Sequence, residues 1–222
     1  MSFSNQHLTR HADLINESAY KNTITIVGAG SIGSFLSLQL AKTGYTRQMV
    51  YDYDTVDIVN MSCQFFRLSD IGKAKVEALK ELVFDFTEVN LTVFNKKWSA
   101  EEYINGIIVN ASDSMQVRAE LLDVAVSKGK KWYLDSRMGA ESALIYCVDL
   151  ESPEALASYR KTLYSDAEAV QERCTAKATI YTANLVSGML TKIIKNITNG
   201  EKYPHITLWS IKENDCTQFT TT

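Results

Sequence analysis

Apolar residues recur along the chain with two spacings. Ile24, Ile26 and Val27 form a β-branched run that predicts a strand over residues 22–28, suited to a sheet covered on both faces. From residue 32 to 43 the apolar positions Ile32, Phe35, Leu36, Leu38, Leu40 and Ala41 fall at helical spacing, and Gly44 supplies a stop. A second strand is predicted over 48–51 and a helix over 74–85, through Ala74, Val76, Leu79, Leu82 and Val83. Residues 91–94 and 106–110 read as further strands, and 115–128 as a helix. Strands follow over 131–135 and 142–149, the second expected to be antiparallel. A long helix rich in small and apolar residues is expected over 177–196, then an alternating edge strand over 205–211 and a polar, frayed tail after Lys212.

Three stretches lack these periods. Residues 1–20 are polar with Leu8, Leu14, Ile15 and Tyr20 spaced for one face, which predicts a short helical arm. Residues 53–70 and 151–175 predict loops, and loops of that length in a compact domain are often functional. The second is read as a crossover covering a site, with a short helix near Ala167 to Glu172. The alternation of strands and helices gives an α/β class. It predicts a Rossmann-like three-layer domain over residues 1–222, with a mostly parallel sheet ending in antiparallel strands.

Composition narrows this picture little. A chain of 222 residues suits one domain with its own core. A formal net charge of -3 gives no bulk electrostatic support for nucleic-acid binding. Only two prolines and ten glycines are present, so no long disordered linker is expected. The four cysteines, Cys63, Cys147, Cys174 and Cys216, include no CxxC pair, which excludes a zinc knuckle of ordinary spacing and reads as reduced thiols in the cytoplasm. The N-terminus lacks the apolar core of a signal peptide, and no run of apolar residues is long enough to span a membrane.

The candidate chemistry begins at Gly28-Ala29-Gly30-Ser31-Ile32-Gly33, between the first strand and the first helix. Gly28 would make the tight turn, Gly30 would let the backbone approach a ligand, and Gly33 would let helix and strand pack closely. Asp52 stands at the carboxyl end of the second strand, where an acid can accept hydrogen bonds from both ribose hydroxyls. The alternative is a turn-capping aspartate. This unit fits NAD(P) enzymes as well as ATP enzymes. After it come Asp54, Val56, Asn60, Gln64 and Gly72-Lys73-Ala74-Lys75. Lys73 and Lys75 at a helix start oppose the helix dipole, a conflict that a bound polyanion would offset; the plain alternative is two solvated lysines. Asp113 follows another strand end, where it suits a hydrated Mg²⁺, while Ser112 or Asp113 could equally cap the next helix. Arg118, one turn further, is placed to pair with an acid or a neighbouring chain.

Gly28, Gly30, Gly33, Asp52, Asp54, Val56, Asn60, Gln64, Gly72, Lys75 and Asp113 together resemble the ubiquitin-activating-enzyme superfamily, the HesA/MoeB/ThiF group of adenylyltransferases, in order and spacing over residues 22–118. The resemblance implies ATP-dependent activation of the C-terminal carboxylate of a ubiquitin-like or sulfur-carrier protein as an acyl-adenylate, with release of pyrophosphate. It implies that Asp52 binds the ribose, that Asn60, Gln64 and Lys75 contact the phosphates, with Asp54 in the same nucleotide-binding set, and that Asp113 holds Mg²⁺. It also implies a homodimer in which an arginine crosses between subunits, a position that Arg10 resembles. The segment around Cys174 is similar to the cysteine segment of thiamine-pathway members, where the thiol takes over the activated carrier; a buried, incidental cysteine is the other reading. The chain departs from the pattern at Cys63, where the family has arginine; Arg67 is placed to substitute, the alternative being weaker phosphate binding. The zinc-binding CxxC pairs of many bacterial members and any thioester-transfer or ubiquitin-fold domain are missing. Two other functions remain: an NAD(P)-dependent oxidoreductase, though no substrate domain or proton-transfer histidine is identifiable, and a non-catalytic nucleotide-binding subunit, for which Cys63 is the main argument.

Overall fold

The central strands bury side chains on both faces, which forces the sheet to be covered twice. The computed structural model describes residues 5–11, 13–164 and 178–220. Strands β1 (Ile24–Val27), β2 (Gln48–Asp52), β3 (Thr92–Asn95), β4 (Ile107–Asn110) and β5 (Trp132–Gly139) run parallel, in spatial order β3-β2-β1-β4-β5. Strands β6 (Ser142–Asp149), β7 (Pro204–Ser210) and β8 (Asp215–Thr220) extend the same sheet antiparallel. Ile24, Ile26, Val50, Ile107, Val109, Leu134, Ile145 and Cys147 face one layer. That layer holds α1 (Ser31–Lys42), α2 (Lys75–Thr87) and α5 (Ile180–Asn199). Val27, Tyr51, Ile108, Tyr133, Tyr146 and Val148 face the other layer, of α3 (Met115–Ser127) and α4 (Pro153–Arg160). This is the three-layer Rossmann-like arrangement expected from the alternation of periods.

Several boundaries differ from the expectations. The N-terminal arm is two short 3-10 helices, Asn5–His11 and Glu17–Lys21, and its apolar residues do not share one face: Ile15 and Ala19 are core, whereas Leu14 is exposed. Residues 153–160 form α4, with Pro153 at its first turn and Ser152 capping it, in a stretch whose polar composition predicts a loop. Asp135 to Gly139 lies inside β5 and not between strands. The polar tail pairs with β7 as β8, so β8 is the sheet edge; all its residues are exposed, which explains why no apolar pattern marks it. The helix expected near Ala167 to Glu172, and Cys174, lie outside the described residues.

Residues 53–75 make a loop closed at its base. An isolated bridge joins Thr55 to Ala74, the Val56 N–H donates to Lys73 O at 2.8 Å, and the Lys75 N–H donates to Asp54 O at 2.9 Å. The loop is held to α1 by the Phe65 N–H, which donates to Ser34 Oγ at 3.0 Å. Its outer side is fixed by charge. Arg67 grips the buried Asp70 through Nε and Nη2, both at 3.0 Å, and also reaches Glu81 at 3.3 Å and Asp85 at 3.0 Å. Lys73 meets Glu81 at 2.6 Å and Asp70 at 3.3 Å. This corrects two expectations. Arg67 is not a free cation standing in for the arginine absent at position 63; its guanidinium is committed to three carboxylates. The lysines at the start of α2 need no bound polyanion to offset the dipole, because side-chain acids already do so.

Two predictions follow from this packing. A Cβ on Gly33 would stand 1.9 Å from the Gly28 carbonyl oxygen. Gly33→Ala should therefore destabilise the protein by about 1–3 kcal/mol, as overpacking against rigid backbone does; a urea midpoint equal to the parent's would refute the close-packing account. The second concerns Asp70. Burial raises its pKa, but the hydrogen bonds from Arg67 and Lys73 prevail and hold it below the ordinary carboxylate value. The unfolded carboxyl thus takes up its proton first as pH falls, and the stabilisation is present above the ordinary aspartate range and lost through the depressed folded value. Asp70→Asn should cost about 1–2 kcal/mol at neutral pH, less than a fully buried pair because Arg67 is partly exposed. Urea titrations should show that difference vanishing in acid; a difference independent of pH would exclude the ionised carboxylate as its source.

Candidate functional site

Strand order reverses between β1 and β4, and open α/β sheets bind ligands at such a crevice, beyond the carboxyl ends of the strands. Two loops meet there. Gly28 has φ +102°, and a Cβ on it would stand 2.7 Å from Ala111 O, on the loop that follows β4. Only glycine makes that turn and admits that contact. Gly30, by contrast, has room: its Cβ would meet nothing nearer than Gln64 Nε2, at 3.9 Å. Helix α1 begins at Gly30 with no side chain capping its first N–H groups. Uncapped N–H groups and the positive end of the helix dipole make an anion site, and a glycine lets the anion come close.

Asp52 organises this end of the sheet. Its Oδ2 accepts from the Ala29 N–H at 2.7 Å and its Oδ1 from the Asp54 N–H at 2.8 Å. Burial pushes the carboxyl above its ordinary pKa, opposed by those two donors and by the charge of Lys75. Lys75 is almost wholly buried, and its Nζ meets Asp54 Oδ2 at 2.8 Å. Asp52, Asp54, Lys75 and the glycine loop are thus brought together, as their spacing suggested.

The loop above them contributes two amides. Asn60 Oδ1 accepts from the Asp57 N–H at 2.9 Å, while Asp57 accepts from the Val59 N–H at 3.1 Å, so Asn60 is partly spent on closing its own turn. Gln64 lies over Gly30, and its Oε1 is buried with no hydrogen-bond partner among the described residues. Cys63 beside it has Sγ at 3.9 Å from Asn60 O and no charged contact among the described residues.

Asp113 lies on the facing loop, exposed and without a hydrogen bond or ion pair among the described residues. It does not cap α3, and neither does Ser112. Ser114 does so, its Oγ accepting from the Val117 N–H at 3.3 Å. Among the described residues no group of three or more His, Cys, Asp or Glu could hold a metal unaided. One free carboxylate beside an anion site is the donor set that suits Mg²⁺ shared with phosphate oxygens and water. Arg10 is exposed on the first 3-10 helix and makes no ion pair among the described residues.

A buried cluster that the sequence did not reveal as functional flanks this loop. Asp135, on β5, receives Arg118 Nη1 on one oxygen at 3.2 Å and Arg137 Nε on the other at 2.8 Å. The sequence signal was an acid in an apolar strand, two residues from an arginine; the structure adds its register with Asn110 at the end of β4.

The chain is 33% identical over 111 residues to the SUMO-activating enzyme subunit uba-2 of Caenorhabditis elegans, which spans 46% of this chain and 19% of that relative. It is 28% identical over 132 residues to the tRNA threonylcarbamoyladenosine dehydratase of Bacillus subtilis (strain 168), 56% of this chain and 51% of that one. The matches therefore span between about a fifth and about half of these curated relatives. The fold is similar to that of E. coli MccB solved with ATP, with a TM-score of 0.76 at 15% identity over 97% of this chain and 72% of that one. No helix among the described residues is long and apolar enough to cross a membrane. The ThiF family profile matches residues 8–221, and the chain belongs to that family.

Proposed function

We propose that this chain is an ATP-dependent adenylyltransferase that activates a C-terminal carboxylate, of a ubiquitin-like or sulfur-carrier protein, as an acyl-adenylate. The observation that carries the reading is the meeting of an uncapped helix start at Gly30, the Asp52 carboxylate, the Asp54–Lys75 pair and the unpartnered Asp113 at one crevice. Family membership supports it, and so do the relatives' names, which include a SUMO-activating enzyme. Partner docking is favoured by exposed apolar residues on the loop over the site, Ile58, Val59 and Leu68, since apolar surface grouped beside a site marks contact with another macromolecule.

In this reading ATP is a substrate. Asp52 accepts hydrogen bonds from the ribose hydroxyls, using lone pairs not taken by Ala29 and Asp54. The first N–H groups of α1, with Lys75 and the amides of Asn60 and Gln64, receive the phosphates. The buried Gln64 Oε1, without a donor among the described residues, suits a ligand N–H or hydroxyl. The substrate carboxylate oxygen attacks the α-phosphorus; that P–O bond forms as the α–β anhydride bond breaks, and the electron pair leaves on pyrophosphate. No proton moves, so the protein contributes positioning and charge neutralisation. Mg²⁺, held by Asp113 and phosphate oxygens, would neutralise the phosphate charge. Arg10 adds a further positive charge to the neighbouring subunit's site in a homodimer. Cys174 takes the acyl group as a thioester, releasing AMP, as the arginine beside it and the long helix after it favour thiolate.

Exchange of labelled pyrophosphate into ATP, with and without a candidate carrier, tests the reaction. The parent should exchange. Asp113→Ala should lose exchange by about a hundredfold or more while still binding ATP, because the metal acts most on charge in the transition state. Cys174→Ser should keep exchange and lose only a covalent carrier adduct. Calorimetry should give ATP binding and weak or absent NAD binding. Tight NAD binding without ATP would favour the oxidoreductase, and ATP binding with no exchange under any carrier would leave a non-catalytic subunit.

The homodimer has its own test. Arg10→Ala and Asp113→Ala chains, each inactive alone, should recover part of the activity when mixed, since one composite site is then intact. Verified heterodimers with no recovery would rule out an arginine acting between subunits.

A further inference from the structure

The cluster beneath the Asp113 loop has a geometry that its contribution to stability does not explain. Asp135 is fully buried, and Arg118 nearly so. Buried ion pairs are often no more stabilising than apolar residues of the same size. Arg118 Nε is also without an acceptor among the described residues.

What the cluster does fix is the residue before Asp113. Arg118 Nη1, held on Asp135 Oδ1 at 3.2 Å, also donates to Ser112 O at 2.9 Å, and Nη2 donates to Ser136 O at 3.3 Å. The Ser112 N–H and hydroxyl both donate to Asn110 Oδ1, at 3.0 and 2.8 Å. Asn110 Nδ2 reaches the Tyr133 hydroxyl at 3.3 Å, which in turn donates to Arg118 O at 3.1 Å. Ser136 Oγ donates to Asn110 O at 3.0 Å. Of the bonds that hold Ser112, the one to its carbonyl leads through the Arg118 guanidinium to the Asp135 carboxylate, while those to Asn110 lead through Tyr133 to the backbone carbonyl of Arg118. Arg137, on the other oxygen of Asp135, donates to Thr162 O at 3.1 Å and Thr162 Oγ1 at 3.0 Å, just past α4. Its guanidinium lies over the rings of Tyr146 and Tyr159, at 4.9 and 5.9 Å. Asp135 is thereby locked from the far side.

We infer that Asp135 is a positioning residue for the reaction at Asp113, acting through Arg118: it fixes the guanidinium that clamps Ser112 O and so aims the Asp113 carboxylate across the crevice at the glycine loop. The inference rests on the adenylyltransferase reading of Asp113. Asp135→Asn keeps the shape and removes the charge that orders both arginines. With Mn²⁺ as the probe and a non-hydrolysable ATP analogue present, electron paramagnetic resonance counts free metal. Asp135→Asn should weaken Mn²⁺ binding about tenfold or more, the usual effect of losing a group that orients a metal ligand. Affinity for the analogue without metal should stay within about twofold, and pyrophosphate exchange should lose kcat with KM for ATP little changed. Parent-like Mn²⁺ binding and kcat in Asp135→Asn, where Asp113→Ala loses both, would overturn the inference and leave the function standing. Parent-like Mn²⁺ binding in Asp113→Ala would overturn the reading of Asp113 and the inference with it. Loss of metal-free analogue affinity in parallel with metal affinity would make Asp135 a general structural residue and overturn the inference. Should Asp135→Asn not fold, Arg118→Lys carries the test: its ammonium keeps the charge but cannot span Asp135 and both carbonyls, and the same losses and the same overturning results apply.

Discussion

The Asp52 carboxylate joins the bases of two loops. One oxygen holds the N–H of Ala29 in the glycine loop, and the other holds the N–H of Asp54, where the long loop begins. The first contact fixes the loop ahead of α1, and with it the direction of the uncapped N–H groups. The second fixes Asp54, whose side chain orients Lys75. Burial raises its pKa above the ordinary carboxylate value, and the two donors and Lys75 oppose that rise. The strand end, the helix start and, through Asp54, the buried lysine thus meet at one anion.

The cations around this anion divide by location. Arg67 and Lys73 lie on the outer side of the loop and are taken by Asp70, Glu81 and Asp85. Lys75, two residues on, turns inward because the backbone bridge at its base places Asp54 and Lys75 side by side. Two lysines of one motif are thus divided between the outer network of Asp70 and Glu81 and the inward pair with Asp54. Cys63 fits the same division. It contributes no charge, and Arg67, being occupied, does not replace one, so in the proposed reaction phosphate recognition falls on Lys75, the helix start and the amides.

The legible parts of this fold were those in which a local rule and a tertiary requirement coincide. Gly28 and Gly33 announce themselves because their spacing is the direct image of a turn and a close approach. Asp52 was readable from its place at a strand end. The elements that escaped follow from contacts distant in sequence. Strand β8 has no buried residue, so its pairing leaves no periodic trace. Helix α4 is polar and buries only Tyr159 and its neighbours on one side. Asp70 looks like any loop acid until Arg67 and Lys73 close on it. Asp135 is an acid in a strand whose partner arginines are 17 residues before and two after, and sequence alone gives no reason to join them. Asp113 was found as a strand-end acid, yet the cap beside it belongs to Ser114, a choice that depends on the turn and not on residue preference.

The pair of Lys75 and Asp54 carries the last consequence. With only 9% of its side chain exposed, Lys75 has Asp54 as the partner that holds it in place when no phosphate is bound. The same contact opposes the proposed role, because a phosphate must share or displace the carboxylate at 2.8 Å. Asp54 is about half exposed, whereas Lys75 is not, so the acid is the member that water can receive. If nucleotide binds here, the lysine stays and the aspartate yields. The loop base tolerates that exchange, because the Thr55–Ala74 bridge and the bond from the Lys75 N–H to Asp54 O are made by the backbone and do not need the side-chain pair.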